Sequence, residues 1–187
     1  MNSYRIVASP LGEVLLRARQ ERLTGVFFTG QKYYPPDVVQ PDADTPGTRT
    51  LLDRAANELA EYFAGVRQRF SVPMHPSGTA FQQAVWQALA GIPFGATVSY
   101  RALAAELGLP PTHARAVGGA VGRNPLSVMV PCHRVVGAAG DLTGYAGGTD
   151  RKRALLRLEG VATAPELPLL RRHTGPDGAP AMAKLRP

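Results

Sequence analysis

The chain has 187 residues, of which 44% are hydrophobic and 19% charged, so it can bury a core as one domain or as two small ones. Its single cysteine excludes an internal disulfide and argues against a zinc site built from cysteines. We see no secretion signal and no apolar run long enough to cross a bilayer, so we expect no membrane partner. These features indicate a reducing, cytoplasmic compartment.

The positive charge is concentrated in the second half of the chain. The formal net charge is +7 and the pI about 10.1. Residues 76–160 carry 8 basic and 4 acidic side chains, whereas residues 1–75 carry 9 and 8, and residues 161–187 carry 4 and 2. This excess indicates a polyanionic partner, although a solvated basic surface would have the same composition.

The first 75 residues have the pattern of a small α/β domain. The pattern predicts three strands, a long loop, a helix and a candidate fourth strand, over 4–8, 13–18, 22–28, 30–47, 48–64 and 67–72 respectively. We find no catalytic constellation in this part. Its acidic side chains are expected to be solvated rather than to bind a metal: Asp42, Asp44, Asp53, Glu58 and Glu61.

Residues 79–160, which follow a linker over Met74–Gly78, have the pattern of short helices joined by glycine turns. Thr79 and Gln82 have the spacing of a capping box and open a helix, in which Phe81, Val85 and Leu89 form a core stripe. Two further helices are predicted over Tyr100–Leu107 and His113–Val121, capped by Ser99 and Thr112. Joined by a tight turn, they form a helix-turn-helix pattern.

The helix over His113–Val121 is unusual in its composition. Its side chains are small, with Ala116, Gly118 and Gly119 in one run, and glycines weaken a helix by about 1 kcal/mol each. Close packing against another helix explains such residues, and so does close approach to a large ligand with Arg115 projecting.

The only cysteine, Cys132, lies in the run Pro131–Arg134. The preceding apolar run over 126–130 predicts a buried strand that ends at a turn. Cys132 is followed directly by His133, so it is a candidate nucleophile, although a cysteine is often an inert core residue. A last helix is predicted over Thr149–Leu158, followed by an irregular tail over 161–187. The basic residues of that helix are expected to point largely outward: Arg151, Lys152, Arg153 and Arg157.

Several of these motifs, in this order, resemble the O6-alkylguanine-DNA alkyltransferases. The resemblance covers about residues 79–160; its motifs are Val98–Tyr100, Arg115–Gly118, Asn124-Pro125, Pro131–Val136, Gly144–Gly148 and Leu155–Gly160. It implies an α+β fold, in which a ribonuclease-H-like α/β domain over 1–75 precedes a mostly helical domain over 79–160 that holds the helix-turn-helix and the active-site cysteine.

The resemblance also implies an activity. Such proteins move an alkyl group from O6 of guanine in double-stranded DNA to their own cysteine, once and irreversibly, without a cofactor; O4-alkylthymine is a further candidate substrate. We therefore expect a single-turnover methyltransferase that is monomeric and can act cooperatively on DNA. The cysteines that bind a structural zinc in some relatives are absent here, so we expect no metal.

The resemblance assigns catalytic roles to five residues. Cys132 is the nucleophile, and His133 takes its proton through a bridging water with Glu159 as the partner of the imidazole. Asn124 shapes the turn that holds the site, and Tyr100 gives a proton to the departing guanine. Taken singly, three of these residues have ordinary structural explanations: a helix-end charge for Glu159, an Asn-Pro turn for Asn124 and a packing residue for Tyr100.

The resemblance also assigns residues to DNA and to the base pocket. Arg115 replaces the flipped base, while Ala116, Gly118 and Gly119 let their helix lie against the minor groove. The backbone around Val135, Tyr145 and Ala146 lines the pocket; many relatives carry serine at the position of Ala146, so we expect altered hydrogen bonding to O6. Three more arginines are candidate contacts to phosphate or to the other domain: Arg101, Arg123 and Arg134.

Three other functions compete with this interpretation. A Cys/His hydrolase such as a thiol peptidase would also place a histidine beside a cysteine, and it would turn over many substrate molecules. A lesion-recognition module would bind alkylated DNA without transfer, but such relatives replace the cysteine. A regulatory DNA-binding protein would prefer one sequence strongly.

Overall fold

A computed structural model describes residues 2–36 and 45–163. Its first part is an antiparallel sheet of three strands, β1 (Ser3–Val7), β2 (Val14–Arg19) and β3 (Arg22–Phe28), in the order β1-β2-β3. The helix α1 (Pro46–Phe63) packs on this sheet and buries the face that carries Leu52, Ala55, Leu59 and Tyr62. The three strands and this helix confirm the sequence prediction within two residues at every end.

The predicted strand over 67–72 is wrong, and so is the expectation that Glu58 is solvated. Among the described residues, one isolated bridge joins Leu23 to Met74, just after this segment, and none lies within it. The segment instead curls over Glu58, whose buried carboxylate accepts hydrogen bonds from Ser71 N at 2.7 Å and Ser71 Oγ at 2.5 Å. The backbone N–H of Ser71 is thus hydrogen-bonded by a side chain, whereas in a strand it would be hydrogen-bonded by a neighbouring strand.

The second part of the molecule is mostly helical. It contains α2 (Ala80–Gly91), α3 (Tyr100–Glu106), α4 (Ala114–Gly122) and α5 (Thr149–Leu158). A short parallel pair, β4 (Val98–Ser99) and β5 (Val135–Val136), joins the start of α3 to the segment after Cys132. The helices α3 and α4 form the predicted helix-turn-helix, and the two parts together confirm the α+β fold class.

Side-chain caps set the starts of α2 and α3. The capping box of Thr79 and Gln82 is present at α2, and Ser99 Oγ accepts a hydrogen bond from Ala102 N at 3.1 Å at α3. The predicted cap at Thr112 is wrong, because a 3₁₀ turn over Pro111–His113 leads into α4 and no side chain caps it. In α2, Val85 and Leu89 are buried as expected, but Phe81 is 38% exposed.

The two parts meet at the segment that leads to Cys132. Val26 N in β3 donates to Pro125 O at 2.8 Å, and Ser127 N donates to Val26 O at 3.0 Å. The predicted strand over 126–130 is wrong beyond this single bridge. The chain turns at Val128, which has a φ of 72°, and then forms a 3₁₀ turn over Cys132–Arg134. The apolar run is buried because it fills the space between the two parts.

The rest of the chain adds little regular structure. Residues 161–163, the described start of the predicted tail, are irregular. The remainder of the tail and the central part of the predicted loop, with Asp42 and Asp44, lie outside the described residues. None of the helices within 2–36 and 45–163 combines the length and the hydropathy needed to span a bilayer.

Candidate active site

Cys132 begins the 3₁₀ turn and is held by a buried asparagine. Asn124 Nδ2 lies 3.1 Å from Cys132 Sγ and 2.8 Å from Val130 O, while Asn124 Oδ1 accepts from Leu126 N at 3.0 Å. The amide therefore bridges the two sides of the turn at Val128, which precedes Cys132. It also presents an N–H to the sulfur, and such a donor favours a thiolate.

His133 points its two ring nitrogens at different surroundings. Its Nε2 lies 2.8 Å from Glu159 Oε1, in a pair whose side chains are both fully buried. Its Nδ1 is buried and has no protein hydrogen-bond partner. Because the carboxylate requires a proton on Nε2, the neutral ring keeps a lone pair on Nδ1. That nitrogen is the one available to accept a proton.

Glu159, at the C-terminal end of α5, accepts five protein hydrogen bonds. Oε1 accepts from Tyr62 Oη at 2.7 Å, His133 Nε2 at 2.8 Å and Arg134 Nη2 at 2.9 Å. Oε2 accepts from Arg134 Nε at 2.8 Å and Gly95 N at 3.2 Å. Burial alone would raise the pKa of Glu159, but the bonds from His133 and Arg134 hold it at about 2. The carboxylate is therefore ionised at neutral pH.

A buried lysine of α5 faces the same site. Lys152 Nζ donates to Val135 O at 2.5 Å and to Thr143 O at 2.8 Å, and Tyr100 Oη donates to the same Thr143 carbonyl at 3.0 Å. Burial lowers the pKa of Lys152 to about 8, while the charge of Cys132 opposes this change. Lys152 thus places a titratable cation near the sulfur.

Opposing effects set the ionisation of the cysteine and the histidine. Burial raises the pKa of Cys132, and the Asn124 hydrogen bond and the Lys152 charge oppose that rise. Burial lowers the pKa of His133 despite its bond to Glu159, so the imidazole is neutral and able to take a proton. Burial also raises the pKa of Tyr100, which keeps its phenol protonated.

A cavity of about 300 Å³ lies between α4, the 144–146 segment and the loop after β3. The conformation of its wall demands glycine, because Gly144 has a φ of 69° and an added Cβ would lie 2.9 Å from Tyr100 Oη. Tyr100 connects this wall to Lys152, because both side chains donate to the carbonyl of Thr143. The cavity is lined by Lys32, Tyr33, Gly118, Gly119, Gly122, Gly144, Tyr145 and Ala146.

The comparisons with known proteins agree with this arrangement. The sequence matches the family model described as 6-O-methylguanine DNA methyltransferase, ribonuclease-like domain, over residues 2–76. It matches the model described as the DNA binding domain of 6-O-methylguanine DNA methyltransferase over residues 80–161. The chain belongs to the 6-O-methylguanine DNA methyltransferase family. Some members of this family are similar to this chain over almost their whole length.

Two curated members of this methyltransferase family illustrate the similarity. The methylated-DNA–protein-cysteine methyltransferase of Mycobacterium tuberculosis is 45% identical over 170 residues, which cover 90% of this chain and 99% of that protein. The constitutive enzyme of Bacillus subtilis with the same name is 42% identical over 163 residues, covering 87% and 98%.

Solved structures of the family show the same fold. The O6-methylguanine methyltransferase of M. tuberculosis is 46% identical with a TM-score of 0.75, covering 88% of this chain and 97% of that one. The M. tuberculosis protein OGT, solved in complex with DNA, is 44% identical with a TM-score of 0.74, covering 84% and 92%.

The structure separates the four arginines that the alkyltransferase resemblance suggested for DNA. Arg115 on α4 and Arg101 on α3 are exposed, as is Ala116. Arg123 is also exposed, but its guanidinium lies over the ring of Tyr33 at 5.4 Å and so contacts the N-terminal part. Arg134 is buried against Glu159 and Ile92 O. The expectation that Arg134 contacts phosphate is therefore corrected: its guanidinium neutralises the Glu159 carboxylate inside the protein.

The predicted pocket residues divide in a similar way. Tyr145 and Ala146 line the cavity, as do the predicted helix residues Gly118 and Gly119. Val135 is not among the lining residues of this cavity, and its carbonyl is bound by Lys152. The assignment of Val135 to the base pocket stays a prediction. Within the described ranges, no cluster of three or more His, Cys, Asp or Glu side chains could hold a metal ion.

Sequence reasoning missed two residues of the site. Lys152 was expected to point largely outward, yet it is fully buried. A signal existed, because Lys152 shares the helical spacing i, i+3, i+4 with the buried Leu155 and Leu156. Tyr62 was also missed. Its partner Glu159 lies 97 residues away along the chain, and no local pattern predicts such a pair.

Proposed function

We propose that this protein repairs DNA by moving an alkyl group from O6-alkylguanine in double-stranded DNA to Cys132. The observation that carries the proposal is the set of groups around Sγ of Cys132. Asn124 Nδ2 lies 3.1 Å from this sulfur, and the next residue, His133, places its Nε2 2.8 Å from Glu159 Oε1. The activity named in the M. tuberculosis relative supports it. The transfer requires no cofactor, and O4-alkylthymine is a second candidate substrate.

Deprotonation of the thiol is the first step. His133 Nδ1 accepts the thiol proton through a bridging water, and Glu159 stabilises the imidazolium through Nε2. Asn124 and Lys152 stabilise the sulfur anion by a hydrogen bond and by charge. This assistance is needed because burial disfavours the thiolate.

Transfer follows as a displacement at the alkyl carbon. The sulfur forms a bond to that carbon as the bond from carbon to O6 breaks, and the electron pair remains with the guanine. Tyr100 supplies the proton that neutralises the departing base. The product is a thioether on Cys132, which no group in the site can reverse, so each chain reacts once.

Reaching the lesion requires the base to leave the stack, which costs a few kcal/mol. We propose that α4 lies in the minor groove, that Arg115 takes the place of the base, and that the base enters the glycine-lined cavity. The exposure of Arg115 and Ala116, with Gly118 and Gly119 on the cavity wall, supports this assignment. Arg101 contributes a phosphate contact, which fits a protein that grips DNA without regard to sequence.

The remaining assignments concern the division of the chain. We propose that residues 1–75 form a supporting domain and that 79–160 bind DNA and transfer the alkyl group. The protein acts on DNA as a monomer in this proposal.

The test follows the methyl group quantitatively. A duplex that carries O6-methylguanine with a labelled methyl group is added in excess, and label is counted on the protein. We expect a plateau of one label per chain and none on Cys132→Ser, which still binds the duplex. Release of many product molecules by one chain would instead favour a hydrolase and overturn the proposal.

A further inference from the structure

A tyrosine of the N-terminal part reaches into the candidate active site. Tyr62, near the end of α1, places its Oη 2.7 Å from Glu159 Oε1. Its side chain is fully buried and packs against three other aromatic rings, those of Phe63 and Phe70 at 5.5 Å and Phe94 at 6.2 Å. This ring cluster fixes the direction of the hydroxyl.

The direction of the hydrogen bond is determined by charge. Glu159 is ionised and can only accept, so the Tyr62 hydroxyl donates. Burial and the neighbouring carboxylate both raise the pKa of Tyr62, so the phenol keeps its proton across the physiological range. The donor is thus permanent, unlike His133, which changes its charge during the reaction.

The bond bears on the His133 side chain because both groups use one oxygen. Oε1 of Glu159 accepts from Tyr62 Oη and from His133 Nε2, and Arg134 Nη2 shares it at 2.9 Å. A carboxylate held by several donors has little freedom to rotate. Each added donor also withdraws negative charge from the oxygen that faces the imidazole.

We propose that Tyr62 is a positioning residue of the alkyl transfer, through which the N-terminal domain orients Glu159 and limits the basicity of His133. The inference rests on the proposed function, since it assigns a role in the same proton relay. It also gives the N-terminal domain a direct part in the chemistry of Cys132, where its sequence shows no catalytic constellation.

The sign of the effect follows from the electrostatics. Without the Tyr62 hydroxyl, Glu159 Oε1 becomes a stronger acceptor, so the imidazolium form of His133 is favoured and its pKa rises. More imidazole is then protonated before the reaction begins, and less can take the thiol proton. The charged and titratable groups that face the network also include Arg134, Lys152, Cys132 and Tyr145, and Tyr62→Phe changes none of them.

The experiment compares the intact protein with Tyr62→Phe, which keeps the ring and removes the hydroxyl. The His133 imidazole is titrated by NMR in protein labelled at histidine, with His133→Gln used to assign its signal. We expect the pKa of His133 to rise in Tyr62→Phe and methyl transfer at neutral pH to slow about threefold to tenfold, a loss the size of one ordinary hydrogen bond. The acid limb of the pH–rate profile moves to higher pH with it.

A matched control perturbs the same ring cluster without touching Glu159. Phe70→Leu removes a ring that lies 5.5 Å from Tyr62, so it lowers thermal stability through packing alone. We expect the His133 titration of Phe70→Leu to match that of the intact protein. A shift of equal size in both variants would reduce Tyr62 to a packing residue and overturn the proposal.

A second variant tests the proposal even if Tyr62→Phe does not fold. Replacing Tyr62 alone by 3-fluorotyrosine keeps the ring and the bond but makes the hydroxyl a stronger donor, so the pKa of His133 falls. An unchanged titration in that protein overturns the proposal. Because the titration needs no DNA, it can be read even if methyl transfer itself is not observed, which separates this inference from the proposed function.

Discussion

The side-chain amide of Asn124 lies 3.1 Å from Sγ of Cys132, although eight positions separate the two residues along the chain. The same Nδ2 donates to Val130 O at 2.8 Å, so one amide sets the path of the turn and also contacts the sulfur. Shape and reactivity therefore depend on a single side chain at this point.

Replacing Asn124 by aspartate should remove the donor and place a negative charge beside the sulfur. We expect the rate of methyl transfer to fall by roughly 100-fold or more, comparable to the loss of one aligned donor in other active sites. Single-turnover kinetics with methylated duplex measure the rate. Asn57→Asp makes the same chemical change on an exposed face of α1 and should leave it unaltered.

Lys152 offers a test of charge near Cys132. In Lys152→Met the cation is lost, so the pKa of Cys132 should rise further and alkylation of the thiol by iodoacetamide at pH 7 should slow, by about tenfold. Arg157→Met removes one charge from an exposed position on α5 and serves as the control. Equal rates for Lys152→Met and the intact protein would exclude Lys152 from the ionisation of the thiol.

Glu159 should make the fold sensitive to acid. Its pKa is about 2 in the folded protein against an ordinary value of 4.5, so its contribution is fully present above pH 4.5. That contribution is lost as the pH falls from 4.5 toward 2, because the unfolded chain binds the proton more readily. Urea unfolding over this range should show stability declining with pH.

The variant Glu159→Gln isolates this contribution. It cannot titrate, so the part of the acid decline that comes from Glu159 should disappear, although the variant is less stable at pH 7 because it leaves Arg134 buried without a charged partner, at a cost of about 3–5 kcal/mol. An acid decline as steep as that of the intact protein would show that other carboxylates cause it.

Arg115 should matter for duplex DNA and not for the chemistry. In Arg115→Ala, transfer from methylated duplex should slow by roughly 10-fold to 100-fold, because nothing replaces the flipped base, whose extrusion costs a few kcal/mol. Reaction with free O6-methylguanine should keep its rate. Arg101→Ala should weaken duplex binding at all sequences and lower its salt dependence. A normal duplex rate for Arg115→Ala would exclude the role of Arg115 in replacing the flipped base.

Local patterns predicted the helices and strands well because their signals lie within a few residues. Short β-rich runs such as Val14–Leu16 and Val26–Phe28 predicted the strands, and the capping box at Thr79 fixed the start of α2. The apolar run over 126–130 misled the strand prediction, since burial between two domains leaves the same composition as a buried strand. Periodicity also overstated the burial of Phe81, which lies at the exposed start of α2.

The polar interior of the site was less predictable. On sequence grounds Arg134 was a candidate contact to phosphate or to the other domain, and only the structure shows that its guanidinium binds Glu159 inside the protein. Glu58 and Tyr62 have partners far along the chain, at 13 and 97 positions. Such pairs are set by the packing of α1 against other segments, which no sequence window contains.

The central claim concerns one atom, Sγ of Cys132. The intact protein is incubated with a duplex that carries O6-methylguanine and is cleaved with trypsin, which releases the peptide over residues 124–134, between the cleavage sites at Arg123 and Arg134. Fragmentation by mass spectrometry then locates the added methyl group. We expect the methyl group on Cys132 and on no other residue. A methyl group found elsewhere, or DNA that loses its methyl group while Cys132 stays unmodified, would contradict the claim.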